Sequence, residues 1–250
     1  MPRANRSGNV QKAIFAALAI LMVARTALTI IGSRRNRVMR AEMDMAAGLV
    51  LLWIVVGGGL MYLLRDRIKA LLQPLSGHWK LCFFLMAVAL ALCEEVVTTL
   101  MTNCAPQFGV KIGEAYITAS TNYLDVVACH SVITFLPPFA VWTWLLSRYD
   151  FSPFETFVCF GVYGFIGEGV FGGFHWLDIG FWIFVYGLMI YLPAYVFAQH
   201  RAKHRVRWTH YIIASVGPFV GTIPWVLLLK STFLRHHPDV HFPPINTKLQ

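Results

Sequence analysis

Two adjacent carboxylates, Glu94 and Glu95, lie near the middle of an apolar run from Leu81 to Leu100. An ionisable side chain at the depth of a bilayer costs about 2.5 to 3.5 kcal/mol on insertion scales, so such residues usually face a cavity or a partner. Carboxyl groups held there are suited to taking up and releasing protons, in a proton relay or as a general acid and base. We therefore expect Glu94 and Glu95 to form part of a functional site.

Threonines follow this pair at helical spacing. Residues four apart share one helix face, which aligns Glu94 with Thr98 and Glu95 with Thr99. Neighbouring residues on a helix point about 100° apart, so only one of the two glutamates can point straight into a narrow cavity. Thr98 and Thr99 are candidates for binding a substrate beside the carboxyl groups.

Two later apolar segments carry further polar residues. His130 and Thr134 lie four residues apart and share a helix face, which makes Thr134 a further candidate for substrate binding. Glu168 follows Gly161 and Gly164 at helical spacing, so it projects from a smooth face that packs closely against another helix or lines a cavity. We expect Glu168 to be protonated or partnered, because an unpaired carboxylate at that depth is costly.

The composition indicates how these groups are positioned. Hydrophobic residues make up 57% of the 250 positions and charged residues only 13%, which is not typical of a soluble domain. Apolar runs of about 20 residues, the length of a membrane-spanning helix, recur along the chain and do not alternate as the strands of a barrel would. We expect one all-α transmembrane domain over residues 1–250, a polytopic bundle of about seven helices at residues 13–32, 46–65, 81–102, 126–147, 154–173, 177–198 and 210–230.

The first of these runs also has features of a secretory signal, since basic residues precede it. Arg25 interrupts the run and no clear cleavage site follows it, so we expect a retained helix; six helices would remain if it were cleaved. Basic residues concentrate in the loops 65–80 and 201–207, which favours a cytoplasmic N-terminus, although the basic segment 34–40 falls on the opposite side. We interpret the net charge of +9 as orientation in the membrane and contact with lipid head groups, and expect no nucleic-acid partner.

The connectivity of such a bundle brings the polar residues to one depth. Alternating helix directions place the candidate catalytic residues in the same half of the bilayer, and they are Glu94, Glu95, His130 and Glu168. Asn122 and His175 lie at the surface of that half and are further candidates for binding a substrate. Convergence of these groups would suit a proton relay or an acid–base centre.

Three segments outside the helix interiors complete the sequence-based picture. Residues 103–125 are too polar to span a bilayer, so we expect an extramembrane or re-entrant loop. Residues 231–250 contain prolines and several histidines, and we expect an extended tail without a metal site, because no rigid scaffold fixes the ligands. Gly217 and Gly221 form a GxxxG pattern that favours close helix packing within the chain or an oligomer.

Short motifs resemble the glutamic intramembrane proteases related to CAAX prenyl endopeptidases. Glu94-Glu95 has the form of their glutamate pair, and Phe171 to His175 has their FxxxH spacing. Thr99 stands where that family has arginine, and no later histidine is followed by Asn or Asp four residues on. The resemblance implies that Glu94 or Glu95 activates water while His130 or His175 stabilises the developing oxyanion.

The sequence leaves three functions open. Buried carboxyl groups, kinked helices and glycine-lined faces favour a proton-coupled transporter or permeation protein that moves a small solute or protons. The alternatives are a glutamate-dependent intramembrane hydrolase and a non-catalytic scaffold or lipid-binding protein. Membrane lipids are the partners that the composition implies, and no motif identifies a cofactor.

Overall fold

The computed structural model describes residues 2–198 and 204–243, and within these ranges the chain is helical and forms no sheet. The all-α prediction is therefore confirmed. The α-helices are α1 (Pro2–Ser33), α2 (Arg37–Leu49), α3 (Gly58–Leu72), α4 (Trp79–Asn103), α5 (Tyr123–Asp125), α6 (Val132–Arg148), α7 (Pro153–Gly172), α8 (Ile179–Val196), α9 (Trp208–Val216) and α10 (Pro218–Ser231).

Two π-helical segments, Val50–Gly57 and Val126–His130, join α2 to α3 and α5 to α6. Short 3-10 helices at Gln73–His78, Ala105–Phe108 and Trp176–Asp178 lie at other junctions. The helices from Arg37 to Asn103 follow one another without a break and cover the second and third predicted runs. Each of the seven predicted runs overlaps helical residues in the described part of the chain.

Fewer helical stretches than the seven predicted have the length and composition of a membrane span. Four helical stretches, Gly8–Ser33, Arg37–Asn103, Trp176–Val196 and Trp208–Ser231, are long and apolar enough to cross a bilayer. A fifth is present if Tyr123–His130 and Val132–Arg148, which meet at an angle of 51°, count as one broken span. The described residues thus indicate a multi-pass membrane protein, with four or five stretches that have the length and composition of a span.

Close packing of α7 against α8 forms the centre of the bundle. Gly161 on α7 lies so near Ile183 on α8 that an added Cβ would come within 2.5 Å of its Cα atom. On the same face of α7, Gly164 leaves room for the ring of Tyr186, which an added Cβ would approach to 2.1 Å. The glycine face that the sequence indicated is therefore the contact between these two helices.

The first helix packs against α8 on another side. Arg25, the residue that interrupts the first apolar run, forms an ion pair with Asp178 at 2.5 Å, just before α8 begins. The backbone of Leu18 approaches Gly180 so closely that an added Cβ would lie 2.6 Å from the Leu18 carbonyl oxygen. The arginine is therefore matched to an acidic partner near the surface of the bundle.

The loop after α4 packs onto the end of the bundle. Val110 and Ala115 in this loop form a small buried cluster with Ala41 and Met45 of α2. The tail after α10 returns to the same loop, where the His241 amide donates to the carbonyl of Ala119 at 2.8 Å. Loop and tail therefore lie together over one end of the helices.

Candidate functional site

The two adjacent glutamates lie inside the bundle on α4. Glu94 is 4% exposed and Glu95 is 6% exposed. Their helix packs against both α6 and α8, so the side chains are enclosed by three helices and not by lipid. The burial expected for an intramembrane carboxyl pair is therefore present, and Glu95 has a hydrogen-bond partner outside its own helix.

Three hydroxyl groups surround Glu95. The Thr98 hydroxyl donates to Glu95 Oε2 at 2.8 Å from one turn further along α4. The Ser131 hydroxyl, at the residue that precedes α6, donates to Glu95 Oε1. Thr118, from the loop after α4, also lies near the Glu95 carboxyl group. Helix, junction and loop thus converge on one side chain.

Glu94 differs from Glu95 in its surroundings, because the groups that interact with it electrostatically are the carboxyl groups of Glu95 and Glu168. An ionised carboxylate only accepts hydrogen bonds, so two neighbouring carboxyl groups can bond each other only if one of them carries a proton. Mutual repulsion and burial both disfavour ionising Glu94 and Glu95 together.

Glu168 reaches the same interior from α7. The Tyr186 hydroxyl on α8 donates to Glu168 Oε1. The ring of Tyr186 packs against Gly164 and occupies the space that a side chain at this position would need. A larger residue at Gly164 would displace this ring and separate the tyrosine from the carboxyl group. The expectation that Glu168 is partnered therefore has a structural basis in the helix packing.

We call Glu94, Glu95 and Glu168 the carboxyl cluster. Within residues 2–198 and 204–243, none of the three forms an ion pair with a lysine, arginine or histidine. Three negative charges without a compensating cation are strongly unfavourable in a low-dielectric interior. Protons supply the compensation that a cation would otherwise give.

His130 belongs to a second group at the end of the bundle. The Asp125 carboxylate lies 3.7 Å from His130 Nε2 and 3.0 Å from His237 Nε2, and the two Nε2 atoms are 3.1 Å apart. His241 Nδ1 lies 3.1 Å from Asp125 Oδ2. We call Asp125, His130 and His237 the Asp–His cluster, with His241 beside it.

The other candidates for substrate binding have mainly structural contacts. Asn122 accepts the backbone amides of Leu124 and Asp125 as the N-cap of α5. Thr134 donates to the Ser131 carbonyl at 2.7 Å, and the buried Thr99 hydroxyl has no hydrogen-bond partner among the described residues. Of the predicted substrate-binding residues, Thr98 is the one with a hydrogen bond to the carboxyl cluster in the described part of the chain.

Sequence reasoning did not identify Ser131, Thr118 or Tyr186 as site residues. The position of Ser131 directly after His130 was a signal that could have identified it. For Tyr186 the signal was the glycine face on α7, which leaves room for a large polar side chain on the facing helix. Thr118 gave no signal, because its position depends on how an irregular loop folds. Gly221 faces Pro137 on α6, where an added Cβ would lie 3.3 Å from its side chain, so this glycine serves packing within the chain.

His175 lies exposed between α7 and α8, and none of the described hydrogen bonds joins it to the carboxyl cluster. The side chain of Phe171, the other end of the FxxxH motif, lies outside the described part of the structure. Comparison of the chain with protein-family models, with curated proteins and with solved structures finds no match.

Proposed function

We propose that this protein moves protons across a membrane, alone or coupled to a small solute, and that Glu94, Glu95 and Glu168 bind and release those protons. The observation that carries the proposal is the burial of Glu94 and Glu95 side by side, 4% and 6% exposed, without a cation partner among the described residues. Glu168 on α7 interacts electrostatically with Glu94 and supplies a third carboxyl group. A proton relay needs such a series of titratable groups within reach of one another.

The alternative to a relay is that the carboxyl groups only hold helices together. Neutral hydroxyl or amide side chains would make the same hydrogen bonds to Ser131 and Tyr186 without the penalty of desolvating an ionisable group. The choice of carboxyl groups at all three positions therefore favours a role that uses their protons. Glutamine can accept the same hydrogen bonds, so Gln variants separate the two roles.

The surrounding elements suit a site that exchanges protons with one side of the membrane. Thr118, in the loop after α4, lies near Glu95, so this loop covers the cluster at that end. A 51° bend separates Tyr123–His130 from Val132–Arg148, and Ser131, the Glu95 partner, lies at the break. Rotation about this break would change how Glu95 is bonded. Seven crossings with a cytoplasmic N-terminus remain part of the proposal.

Proton flux into liposomes tests the proposed function. The purified protein is reconstituted with a trapped pH-sensitive dye, and a potassium gradient with valinomycin imposes a potential. We expect wild-type vesicles to acidify faster than empty vesicles, and Glu94→Gln, Glu95→Gln and Glu168→Gln each to lower the protein-dependent rate at least tenfold. Asp66→Asn is the matched control, because Asp66 is an exposed acidic residue with a side chain 74% accessible.

Two outcomes would contradict this function. One is a correctly folded wild-type protein that moves no protons faster than empty vesicles. The other is a set of Gln variants that fail to accumulate in the membrane while Asp66→Asn accumulates normally. In the second case the carboxyl groups would be structural, as expected of a scaffold or lipid-binding protein.

A glutamate-dependent hydrolase is the second candidate, and one observation favours it. The Ser131 hydroxyl donates a hydrogen bond to the Glu95 carboxyl group, and His130 precedes Ser131 in the chain. Ser131 therefore links a carboxyl group to a residue that carries an imidazole. A hydrolase needs a glutamate that water can reach. If the Gln variants abolish cleavage of labelled membrane peptides while proton flux is absent in the wild type, this second function replaces the first.

A further inference from the structure

We propose that Asp125, His130 and His237 bind a divalent first-row transition metal ion at the end of the helical bundle. This site is separate from the carboxyl cluster, and the proposal does not depend on proton movement there. It differs from the sequence-based expectation, in which the histidines of the tail had no scaffold to fix them. The structure supplies that scaffold in three parts.

The first part is the geometry of the ligand atoms. One carboxylate oxygen and two imidazole nitrogens, from Asp125, His130 and His237, all lie within 4.8 Å of one another. The separations are 3.0 Å from His237 Nε2 to Asp125 Oδ1, 3.7 Å from His130 Nε2 to Asp125 Oδ2 and 3.1 Å between the two Nε2 atoms. Ligands about 2.0 to 2.2 Å from a tetrahedral zinc ion lie roughly 3.3 to 3.6 Å apart, so small adjustments would seat a metal ion.

The second part is the π-helical segment Val126–His130. In an α-helix, residues five apart point about 140° away from each other, which would place Asp125 and His130 on different faces. The Ser131 amide instead donates to the Val126 carbonyl at 2.9 Å, five residues back. This wider turn allows the two side chains to converge, and π-helical turns of this kind are frequent at functional sites.

The third part is the return of the tail. Beyond α10, the Leu234 amide donates to the Leu229 carbonyl at 2.8 Å, which turns the chain back towards the bundle. The His241 amide then bonds the Ala119 carbonyl, and the ring of Phe242 packs against Tyr116 with 4.7 Å between centroids and a tilt of 35°. His237 lies between these anchors, so the tail is fixed on both sides of its ligand.

Additional contacts orient the carboxylate as expected for a metal ligand. His241 Nδ1 lies 3.1 Å from Asp125 Oδ2, and Ser120 also lies near this carboxylate. Such outer contacts fix the orientation of ligating groups and raise metal affinity. The side chains of Asp125 and His130 are only 12% and 11% exposed, so the ligands are shielded yet lie next to solvent.

An open coordination position would face a pocket of about 340 Å³. It is lined by His130 and His237 and by two basic residues, Lys230 and Arg235. Three protein ligands with an open position are typical of metal sites that bind a further molecule. Two nitrogens and one carboxylate suit zinc, and the same donor set with more open positions suits iron(II).

Metal titration of the purified full-length protein tests the proposal. After treatment with a chelator, zinc binding is measured by calorimetry and bound metal per chain by elemental analysis. We expect one zinc per chain in the wild type, and an affinity at least about 100-fold lower in Asp125→Ala, His130→Ala and His237→Ala. Cobalt(II) then distinguishes the geometries, since a four-coordinate site absorbs visible light strongly and a six-coordinate, iron-like site weakly.

His236→Ala is the matched control, because His236 is exposed and adjacent to the proposed ligand His237. Unchanged affinity in this variant supports the site. Binding that falls with His236→Ala but not with Asp125→Ala would show adventitious binding by the histidines of the tail, and absence of saturable binding in the wild type would also overturn the proposal. Should Asp125→Ala fail to fold, His237→Ala decides the outcome, since its residue lies outside the helices.

Discussion

The carboxyl cluster and the Asp–His cluster combine similar residue types in opposite environments. In the carboxyl cluster, Glu94 and Glu95 are 4% and 6% exposed, and the hydrogen-bond partners of the cluster are hydroxyl groups. In the Asp–His cluster, a carboxylate faces two imidazole nitrogens beside a pocket. Buried acidic groups without a cation favour the protonated form, whereas acidic and imidazole groups that face one point suit a metal ion. Partners and access therefore determine which ion each cluster suits.

The strongest test of this difference removes ligands from one cluster only. His130→Ala combined with His237→Ala should abolish measurable metal binding, a loss of more than about 100-fold, because only one ligand remains. Zinc calorimetry measures this loss, and proton flux into liposomes should stay at the wild-type rate. Equal loss of both activities would mean that the two clusters act as one site.

The next test disturbs the carboxyl cluster from a distance. Gly164→Ala would place a Cβ within 2.1 Å of the Tyr186 ring, and overpacking of this kind costs about 1 to 3 kcal/mol. We expect the free energy of unfolding, measured in detergent, to fall by this amount. Proton flux should be lower and zinc binding unchanged. Gly59→Ala is the control, because nothing lies within 4 Å of its added Cβ; a similar loss there would remove the packing explanation.

A smaller effect is expected from the helix cap beside the Asp–His cluster. Asn122 accepts the amides of Leu124 and Asp125 at 3.0 and 3.4 Å, and loss of an N-cap costs about 1 kcal/mol. Asn122→Ala should therefore weaken zinc binding about fivefold, as measured by calorimetry. Proton flux that fell with it would instead assign Asn122 to the carboxyl cluster, as the sequence suggested.

The smallest effect concerns the exposed ion pair that helps to anchor the tail. Lys230 donates to Asp239 at 2.7 Å, and this bond holds the pKa of the Asp239 carboxyl below its usual value. The contribution of the pair is present above the ordinary aspartate pKa and is lost as the pH falls through the lowered one. Asp239→Asn should weaken zinc binding about twofold at neutral pH, because exposed pairs contribute little. A tenfold effect would indicate that Asp239 acts more directly.

The sequence predicted the carboxyl cluster better than the Asp–His cluster for a physical reason. Helical periodicity and the cost of buried charge identify Glu94, Glu95 and Glu168, since these residues lie on regular helices with fixed spacing. His237 becomes a neighbour of His130 only through a π-helical turn and a tail that folds back over a loop. Neither the π-helical turn nor the fold of the tail has a periodic sequence pattern. Periodicity therefore does not predict the contact between His130 and His237, which lie 107 positions apart.

The membrane assignment shows a similar limit. Hydropathy predicted seven membrane-spanning helices, yet four or five helical stretches of the described residues have the length and composition of a membrane span. α7 packs closely against α8 through its glycines, so this face contacts protein and not lipid. Glu168 and the glycines on α7 are compatible with such a contact. Apolar composition thus predicts helices that face lipid more readily than helices that face protein.

Infrared spectroscopy of the purified protein tests most directly whether the carboxyl cluster exchanges protons. The carbonyl stretching band of protonated carboxyl groups is recorded while the external pH is varied, in the wild type, in Glu94→Gln and in the Asp66→Asn control. We predict a band that rises and falls reversibly with pH in the wild type and in the control, and that is lost or strongly reduced in Glu94→Gln. A band that stays constant over the pH range in which the protein remains folded would show a static, structural cluster and would contradict proton transfer by Glu94 and Glu95.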